Sequence, residues 1–232
     1  MEPDLKIHPI QTEILTTLLL CPGANFAKLN KNKIPTDHFS FHLKSLVQAG
    51  LLEKQNNHYV LTSKGKEFAN RFDTTRNILE RQAKVAVLVV CVKNGKQGVE
   101  YLMQQRLKQP YFGFYGFVTG KIRWGETVLQ AGQRELKEET NLEAKLKLAG
   151  IEHKIDYSRE NQLLEDKFFF VVRANNPKGQ LQKQFDGGRN IWLREKQIKN
   201  LKNKFKDVSN ILKTIKQKGG LFSEGNYRET WY

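Results

Sequence analysis

The sequence lacks long apolar runs, an acidic charge excess and cysteine clusters. Its longest apolar run, Val85 to Val92, is far too short to span a bilayer, and no extended apolar stretch follows Met1. A cytoplasmic protein with no membrane partner is therefore expected. Only two cysteines occur, Cys21 and Cys91, with no metal-ligand spacing around them. We interpret both as small buried residues.

Basic residues are abundant, with 39 Lys and Arg against 24 Asp and Glu, for a net charge of +15. The first 75 residues contribute little of it, because they hold nine basic and seven acidic side chains. We interpret most of the excess as solvated surface, although such a charge also invites a nucleic-acid partner. The length of 232 residues suits one small and one medium domain.

The first part of the chain has the pattern of three helices and a hairpin. Apolar positions recur at helical spacing from Pro9 to Leu20, and a helix start at Thr36 or Asp37 precedes an apolar stripe that ends at Gly50. Two short runs around Gln55-Asn56-Asn57 predict a β-hairpin, and a polar helix follows.

This order resembles winged helix-turn-helix regulators, most clearly in SFHLKSLVQAGLLEKQNNHYVLTSKGKEF. Several third-helix residues lie off the apolar stripe, and the resemblance implies that some enter the major groove of double-stranded DNA: His38, Ser40, Phe41, Lys44, Ser45 and Gln48. The alternative is that this module only packs on its neighbour or mediates a homodimer. The weak local charge favours neither.

The remainder alternates strands and helices, which predicts an α/β domain with a mixed sheet. Strands are expected near 84–92, 99–106, 146–154, 167–174 and 190–193, and helices at 127–140 and 196–218. The second helix has apolar residues inward and lysines outward. We predict a first domain at 1–75, a linker at 76–82, a second domain at 83–218 and a tail without clear periodicity at 219–232.

Chemistry is concentrated in GKIRWGETVLQAGQRELKEETNL, Gly120 to Leu142. Glu135, Glu138 and Glu139 stand at i, i+3 and i+4, so three carboxylates share one helical face. Such a face is unstable unless something cationic lies among the carboxylates, and a hard divalent ion satisfies them. Magnesium also takes phosphate oxygens into its shell, so the pattern indicates phosphoanhydride hydrolysis.

The same stretch resembles the Nudix box. The matching residues are Gly120, Glu126, Arg134, Glu135, Leu136, Glu138, Glu139 and Leu142. Asn141 stands where the family has Gly, and we expect little cost because Asn tolerates the left-handed conformation. Val118-Thr119-Gly120 replaces the usual Pro-Gly-Gly. The resemblance implies an α/β fold overall: a Nudix α/β/α sandwich with a mixed sheet, preceded by a small α+β winged-helix domain.

The resemblance also implies roles. Glu135, Glu138 and Glu139 would bind Mg²⁺, with Mn²⁺ as the alternative ion, and the Gly120 carbonyl would join them. Glu126 and Arg134 would pair to hold loop against helix. The water-activating base varies within the family. It would be a helix glutamate or one of Glu160, Glu165 and Asp166, among which Glu165 is our first choice.

Substrate contacts are expected just upstream, in KQPYFGFYGFVTGK. Tyr111 and Phe112, with the neighbouring Phe114 and Tyr115, are candidates to stack on a base or ribose, or else they fill the core. Arg106 and Lys121 are candidates for phosphate contacts.

Two functions from different classes follow. The first is a magnesium-dependent pyrophosphohydrolase acting on a nucleoside diphosphate linked to a moiety X, such as a nucleotide, ADP-ribose or a nucleotide sugar. The second is a transcription regulator whose Nudix domain senses a nucleotide while the winged helix binds DNA. A weaker third option, guidance of an RNA 5′ end by the basic 196–218 segment, is less favoured than simple helix packing. We adopt the hydrolase.

Overall fold

The computed structural model describes residues 7–74, 78–217 and 220–229. The chain forms two compact units, Met1–Arg81 and Gln82–Tyr232. Residues 76 and 77 of the predicted linker, Lys218 at the predicted domain end, and residues 219 and 230–232 of the predicted tail lie outside the described residues. In the described part of the chain, no helix is long and apolar enough to cross a membrane.

The first unit contains four helices and two pairs of short strands. In chain order they are α1 (Pro9–Leu19), α2 (Phe26–Leu29), α3 (Thr36–Gln48), β1 (Leu52–Gln55), β2 (His58–Leu61), α4 (Ser63–Ala69), β3 (Phe72–Asp73) and β4 (Ile78–Leu79). The hairpin β1–β2 turns at Asn56 and Asn57, both at positive φ, a conformation that Asn adopts readily. The apolar stripe of α3 is buried through Phe39, Leu43 and Leu46, as its spacing predicts.

The second unit is built on a nine-stranded mixed sheet. Its elements are β5 (Lys84–Gly95), β6 (Gly98–Arg106), β7 (Tyr115–Gly116), β8 (Val118–Lys121), α5 (Val128–Thr140), β9 (Glu143–Tyr157), β10 (Leu163–Lys178), β11 (Gln184–Phe185), β12 (Gly188–Arg194), α6 (Glu195–Lys199), α7 (Val208–Thr214) and β13 (Leu221–Arg228). The strand order is β11-β12-β6-β5-β10-β9-β13, while β7 pairs with β6 and β8 with β5.

The sheet separates two apolar cores because β5 is buried on both faces. Val87, Val89 and Cys91 pack with Leu136 of α5 on one face. On the other face, alternate β5 residues pack with α6, α7 and Ile215. Helices therefore cover both sides, which confirms the predicted α/β/α sandwich. Cys91 is fully buried, as expected, whereas Cys21 is only partly buried.

The prediction of one helix over 196–218 is wrong. Helices α6 and α7 are separated by residues 200–207. The backbone of this break serves β7 instead: Tyr115 N donates to Asn203 O at 2.7 Å, and Phe205 N donates to Tyr115 O at 3.0 Å. The predicted sidedness is nevertheless confirmed, because Ile198, Ile211 and other apolar residues of the segment are buried.

The C-terminal segment is more ordered than its sequence suggests. Residues 221–228 form β13, which adds to the sheet edge parallel to β9. Side chains join it to its neighbour: Glu224 contacts His153, and the hydroxyl of Tyr227 donates to Glu152 at 3.2 Å. These non-local contacts stabilise a strand that has no apolar alternation of its own.

Asn141 caps α5 in the left-handed region, with φ 57° and ψ 20°. Its backbone N–H donates to Lys137 O at 2.9 Å, and its side chain donates to Gln180 O at 3.3 Å. The structure therefore supports the expectation that Asn replaces the family's Gly at little cost.

We predict that Asn141→Gly keeps the free energy of unfolding, whereas Asn141→Ala lowers it by about 1 kcal/mol relative to Asn141→Gly. The reason is that Ala pays the Cβ penalty of the left-handed conformation and has no side-chain donor. Urea unfolding followed by circular dichroism measures both variants. Equal stability of the Ala and Gly variants would contradict this account of the cap.

Candidate active site on helix α5

Helix α5 is fixed at both ends and along one face. At its start, Thr127 and Gln130 form a reciprocal capping box, with Thr127 N donating to Gln130 Oε1 at 2.9 Å. Ala131, Gly132 and Leu136 are buried against the sheet. The glutamates occupy the remaining surface, so the packing of the helix determines where their carboxylates lie.

Arg134 lies among the glutamates. Its Nε donates to Glu126 Oε1 at 2.7 Å and its Nη2 to Glu126 Oε2 at 2.9 Å, a bidentate pair. Its Nη1 also contacts Glu135, and Glu138 Oε2 at 3.2 Å. The guanidinium group is thus a cationic partner for three carboxylates. The sequence analysis had given it only the pairing with Glu126.

The contacts between Arg134 and Glu126 shift the pKa values of both groups. Hydrogen bonds from Arg134 and from the backbone N–H of Arg123 lower the pKa of Glu126 to about 2. Hydrogen bonding to Glu126 raises the pKa of Arg134, with Glu135 adding to the effect. Arg134 Nη2 also donates to Lys121 O at 3.0 Å, so the ion pair ties the loop before α5 to the helix.

Gly120 leaves room for the carboxylate of Glu135. A Cβ atom added at Gly120 would lie 1.8 Å from the Glu135 carboxyl carbon and 1.9 Å from its Oε1. Gly120 lies in β8, paired with Val87 of the central strand β5. The sheet therefore brings its backbone directly beneath the glutamate, and no larger residue fits there without displacing the carboxylate.

Glu139 is the glutamate closest to the sheet. Burial raises its pKa to about 6, opposed by a hydrogen bond from Gln104 and assisted by the negative charge of Glu135. Gln104 Nε2 donates to Glu139 Oε2 at 3.1 Å. Glu138, by contrast, is about half exposed, and Arg123 Nη2 lies 3.5 Å from its Oε1.

No three His, Cys, Asp or Glu side chains of the described residues are gathered tightly enough to hold a metal ion as they stand. Arg134 occupies oxygens of both Glu135 and Glu138, which accounts for this spread. The donor chemistry nonetheless fits a hard divalent cation: carboxylate oxygens from three glutamates converge on one helix face beside a backbone strand, and one of them is buried near a like charge.

Glu165, our first choice for the general base, is buried and paired with two lysines. Its Oε2 lies 2.6 Å from Lys84 Nζ and 3.4 Å from Lys167 Nζ. Of the other two candidates, Asp166 accepts from His153 at 2.9 Å and Glu160 is exposed in a turn. The assignment of a base among them stays a prediction.

The expected substrate-binding residues differ in accessibility. Arg106 is occupied by its own loop, where Nε donates to Lys108 O at 3.0 Å and Nη2 to Gln109 O at 3.1 Å. Tyr111 is only 4% exposed, and its hydroxyl donates to Asp156 Oδ2 at 3.0 Å. This matches the core role left open for Tyr111 rather than base stacking, because its ring has no accessible face. Phe112 and Lys121 are exposed.

In the first unit, the proposed DNA-contacting residues of α3 also differ. Lys44, Gln48 and His38 are exposed, and Phe41 is 65% exposed. Ser45 is half-buried and its hydroxyl accepts from Gln11 Nε2 at 3.1 Å. Ser40 is also half-buried.

Sequence reasoning missed three contributors to the site: Arg123, Gln104 and Asn190. Arg123 lies inside the motif segment, where its basic side chain between two motif positions was a usable signal. Gln104 and Asn190 reach Glu139 from other strands; Asn190 Nδ2 donates to Glu139 O at 2.7 Å. Nothing local in their sequence identifies them.

Comparison with solved structures supports the fold. The NUDIX domain of Shewanella oneidensis NrtR, solved with ADP ribose, is 16% identical with a TM-score of 0.53, over 67% of this chain and 97% of that one. The MutT protein from Bacillus halodurans is 21% identical with a TM-score of 0.53, over 62% and 90%. No curated protein matches the sequence.

The family model of the NUDIX domain matches residues 82–215, which contain α5 and every strand of the sheet except β13. This match covers more than half of the chain and includes Arg134 and the three glutamates. The protein therefore belongs to the Nudix family of hydrolases, which act on phosphoanhydride bonds.

Proposed function

We propose that this protein is a magnesium-dependent Nudix pyrophosphohydrolase that cleaves the diphosphate of a nucleoside diphosphate linked to a moiety X. The observation that carries the proposal is the set of three glutamates on α5, positioned over Gly120 and held by Arg134. A polyphosphate brings the negative charge that a cation on this face would share.

Glu135, Glu138, Glu139 and the carbonyl of Gly120 would hold Mg²⁺, or Mn²⁺ as the alternative. When bound, the ion polarises phosphorus, neutralises the leaving group and acidifies a water. Arg134 has a second role in this scheme. Because its bidentate contact with Glu126 is independent of Glu138, it can release Glu138 and still hold the loop to the helix.

Other residues have supporting roles in the proposal. Glu165 remains the candidate base, and its two lysines would fix the carboxylate in place. Lys121 would contact phosphate and Phe112 would contact the base or ribose, since both are exposed. Arg106 keeps a role through the loop that its guanidinium orders.

We expect Glu138→Gln to reduce turnover at least about 100-fold, because a neutral amide is a weaker ligand for a hard cation. The assay incubates the protein with Mg²⁺ and a panel of nucleoside triphosphates, ADP-ribose and nucleotide sugars, and identifies products by mass. EDTA should abolish turnover. Glu143→Gln is the matched control, because Glu143 follows α5 but pairs with Lys137 away from the glutamates.

Absence of turnover across the panel by the wild-type protein would remove the proposal. So would equal turnover of Glu138→Gln and the wild type. A drop of similar size in Glu143→Gln would show that the loss is not specific to the glutamate face.

We expect Gly120→Ala to reduce kcat at least about 10-fold while the protein stays folded, because the new methyl group displaces the Glu135 carboxylate. Gly220→Ala is the control, because a Cβ atom there meets nothing within 4 Å. Circular dichroism establishes folding. Unchanged kcat in Gly120→Ala would contradict the placement of Glu135.

The second candidate function is a nucleotide-sensing regulator that binds DNA through the first unit. The exposed face of α3, with Lys44, Gln48 and Phe41, favours it. The hydrolase remains our first choice, because the unit's own charge is small and the glutamate set is complete.

If this second function holds, Lys44→Ala should weaken binding to DNA from the protein's own promoter several-fold and reduce the salt dependence of binding. Fluorescence anisotropy at two salt concentrations measures it. Lys64→Ala, on α4, is the control for a general charge effect. Affinity that is indifferent to DNA sequence, or equal losses in both variants, would count against the regulator.

A further inference from the structure

A cavity of about 530 Å³ opens at the outer edge of the sheet, around β12 and β6. Its size is that of small-molecule and nucleotide pockets. Residues that line it include Gln105, Tyr115, Lys183, Arg189, Asn190 and Trp192. Apart from a backbone contact of Asn190, nothing in the site described above uses these residues.

The cavity is cationic. Lys183 and Arg189 are both exposed at its wall, and no carboxylate belongs to the described residues that line it. Within the described ranges, neither cation makes an ion pair to an acidic side chain. Two unpaired cations side by side favour an anionic ligand, and the planar guanidinium group suits a phosphate.

The cavity also has aromatic walls in fixed positions. Lys93 Nζ lies 4.3 Å from the centre of the Trp192 ring and is itself paired with Glu100 at 3.2 Å. Tyr115 is held by its two backbone hydrogen bonds to the 203–205 segment. Rings held in place lose little freedom when a planar ligand packs on them.

Asn190 supplies an unused acceptor. Its Nδ2 donates to Glu139 O at 2.7 Å and to Gln182 O at 2.8 Å, so two carbonyls identify that atom as the amide nitrogen. The remaining atom, Oδ1, is buried without a partner, and the residue is only 7% exposed. A buried acceptor without a donor is costly, and a ligand N–H would satisfy it.

We propose that this cavity binds the nucleoside monophosphate part of the ligand: phosphate on Lys183 and Arg189, base against Trp192 and Tyr115, and a base N–H on Asn190 Oδ1. Each common nucleobase has such a donor. Identifying this ligand as part of the substrate rests on the proposed function. The bond from Asn190 to the Glu139 carbonyl joins the cavity to the end of the catalytic helix.

The test measures binding without hydrolysis. AMP, which has no phosphoanhydride bond, is titrated into the full chain in EDTA by calorimetry and by tryptophan fluorescence. We expect the double variant Lys183→Ala/Arg189→Ala to weaken AMP binding at least about 10-fold. Lys145→Ala/Lys147→Ala is the matched control, because it removes the same charge from a different cavity.

The base is tested by comparing AMP with ribose 5-phosphate. Trp192→Leu should weaken AMP at least several-fold and leave ribose 5-phosphate unchanged. Three outcomes would overturn the inference: no AMP binding by the wild type, equal AMP affinity in the two double variants, or AMP binding lost in Glu138→Gln but kept in Lys183→Ala/Arg189→Ala.

This inference and the proposed function fail separately. If AMP binding depends on Lys183 and Arg189 but no compound of the panel is hydrolysed, the hydrolase proposal falls and the cavity stands as a ligand site. If hydrolysis is normal in Lys183→Ala/Arg189→Ala and AMP affinity does not change, the reverse holds.

Discussion

Mutual repulsion among the carboxylates of Glu135, Glu138 and Glu139 is the constraint on which the site depends. Like charges at this spacing destabilise a helix unless a cation lies among them. The protein answers with Arg134, which contacts Glu135 and Glu138 and chelates Glu126. The same guanidinium group binds the carbonyl of Lys121, so charge balance on the helix and the position of the preceding loop are fixed by one side chain.

This arrangement explains why the glutamate face is compatible with two states in our proposal. With Arg134 between the carboxylates, the helix is stable without a metal ion. With a divalent ion, only the longer contact to Glu138 has to be exchanged, because the bidentate pair with Glu126 is nearly buried and does not involve the helix face. Gly120 completes the device by leaving space for Glu135.

Local patterns predicted what local physics determines. The helical spacing of α3, the alternation and length of β5, and the left-handed cap at Asn141 were all readable, because each depends on neighbours in sequence. The family of the second unit followed from residues on a single helix. The acidic helix needed no metal to be stable, however, and sequence spacing alone could not show Arg134 reaching three carboxylates.

Other features depend on partners distant in sequence. The break at 200–207 exists because Tyr115 takes the backbone bonds that a helix would use, and β13 exists because β9 offers an edge. Tyr111 looked like a stacking residue because its loop is aromatic, but Asp156, 45 positions away, accepts its hydroxyl inside the core.

Anomalous diffraction from a crystal soaked with Mn²⁺ and a non-hydrolysable ADP analogue tests the central claim most directly. The account requires metal peaks at the oxygens of Glu135, Glu138 and Glu139, with Arg134 released from Glu138 and still bound to Glu126. An acidic face without metal peaks, its carboxylates still on Arg134 while the analogue occupies the protein, would contradict it.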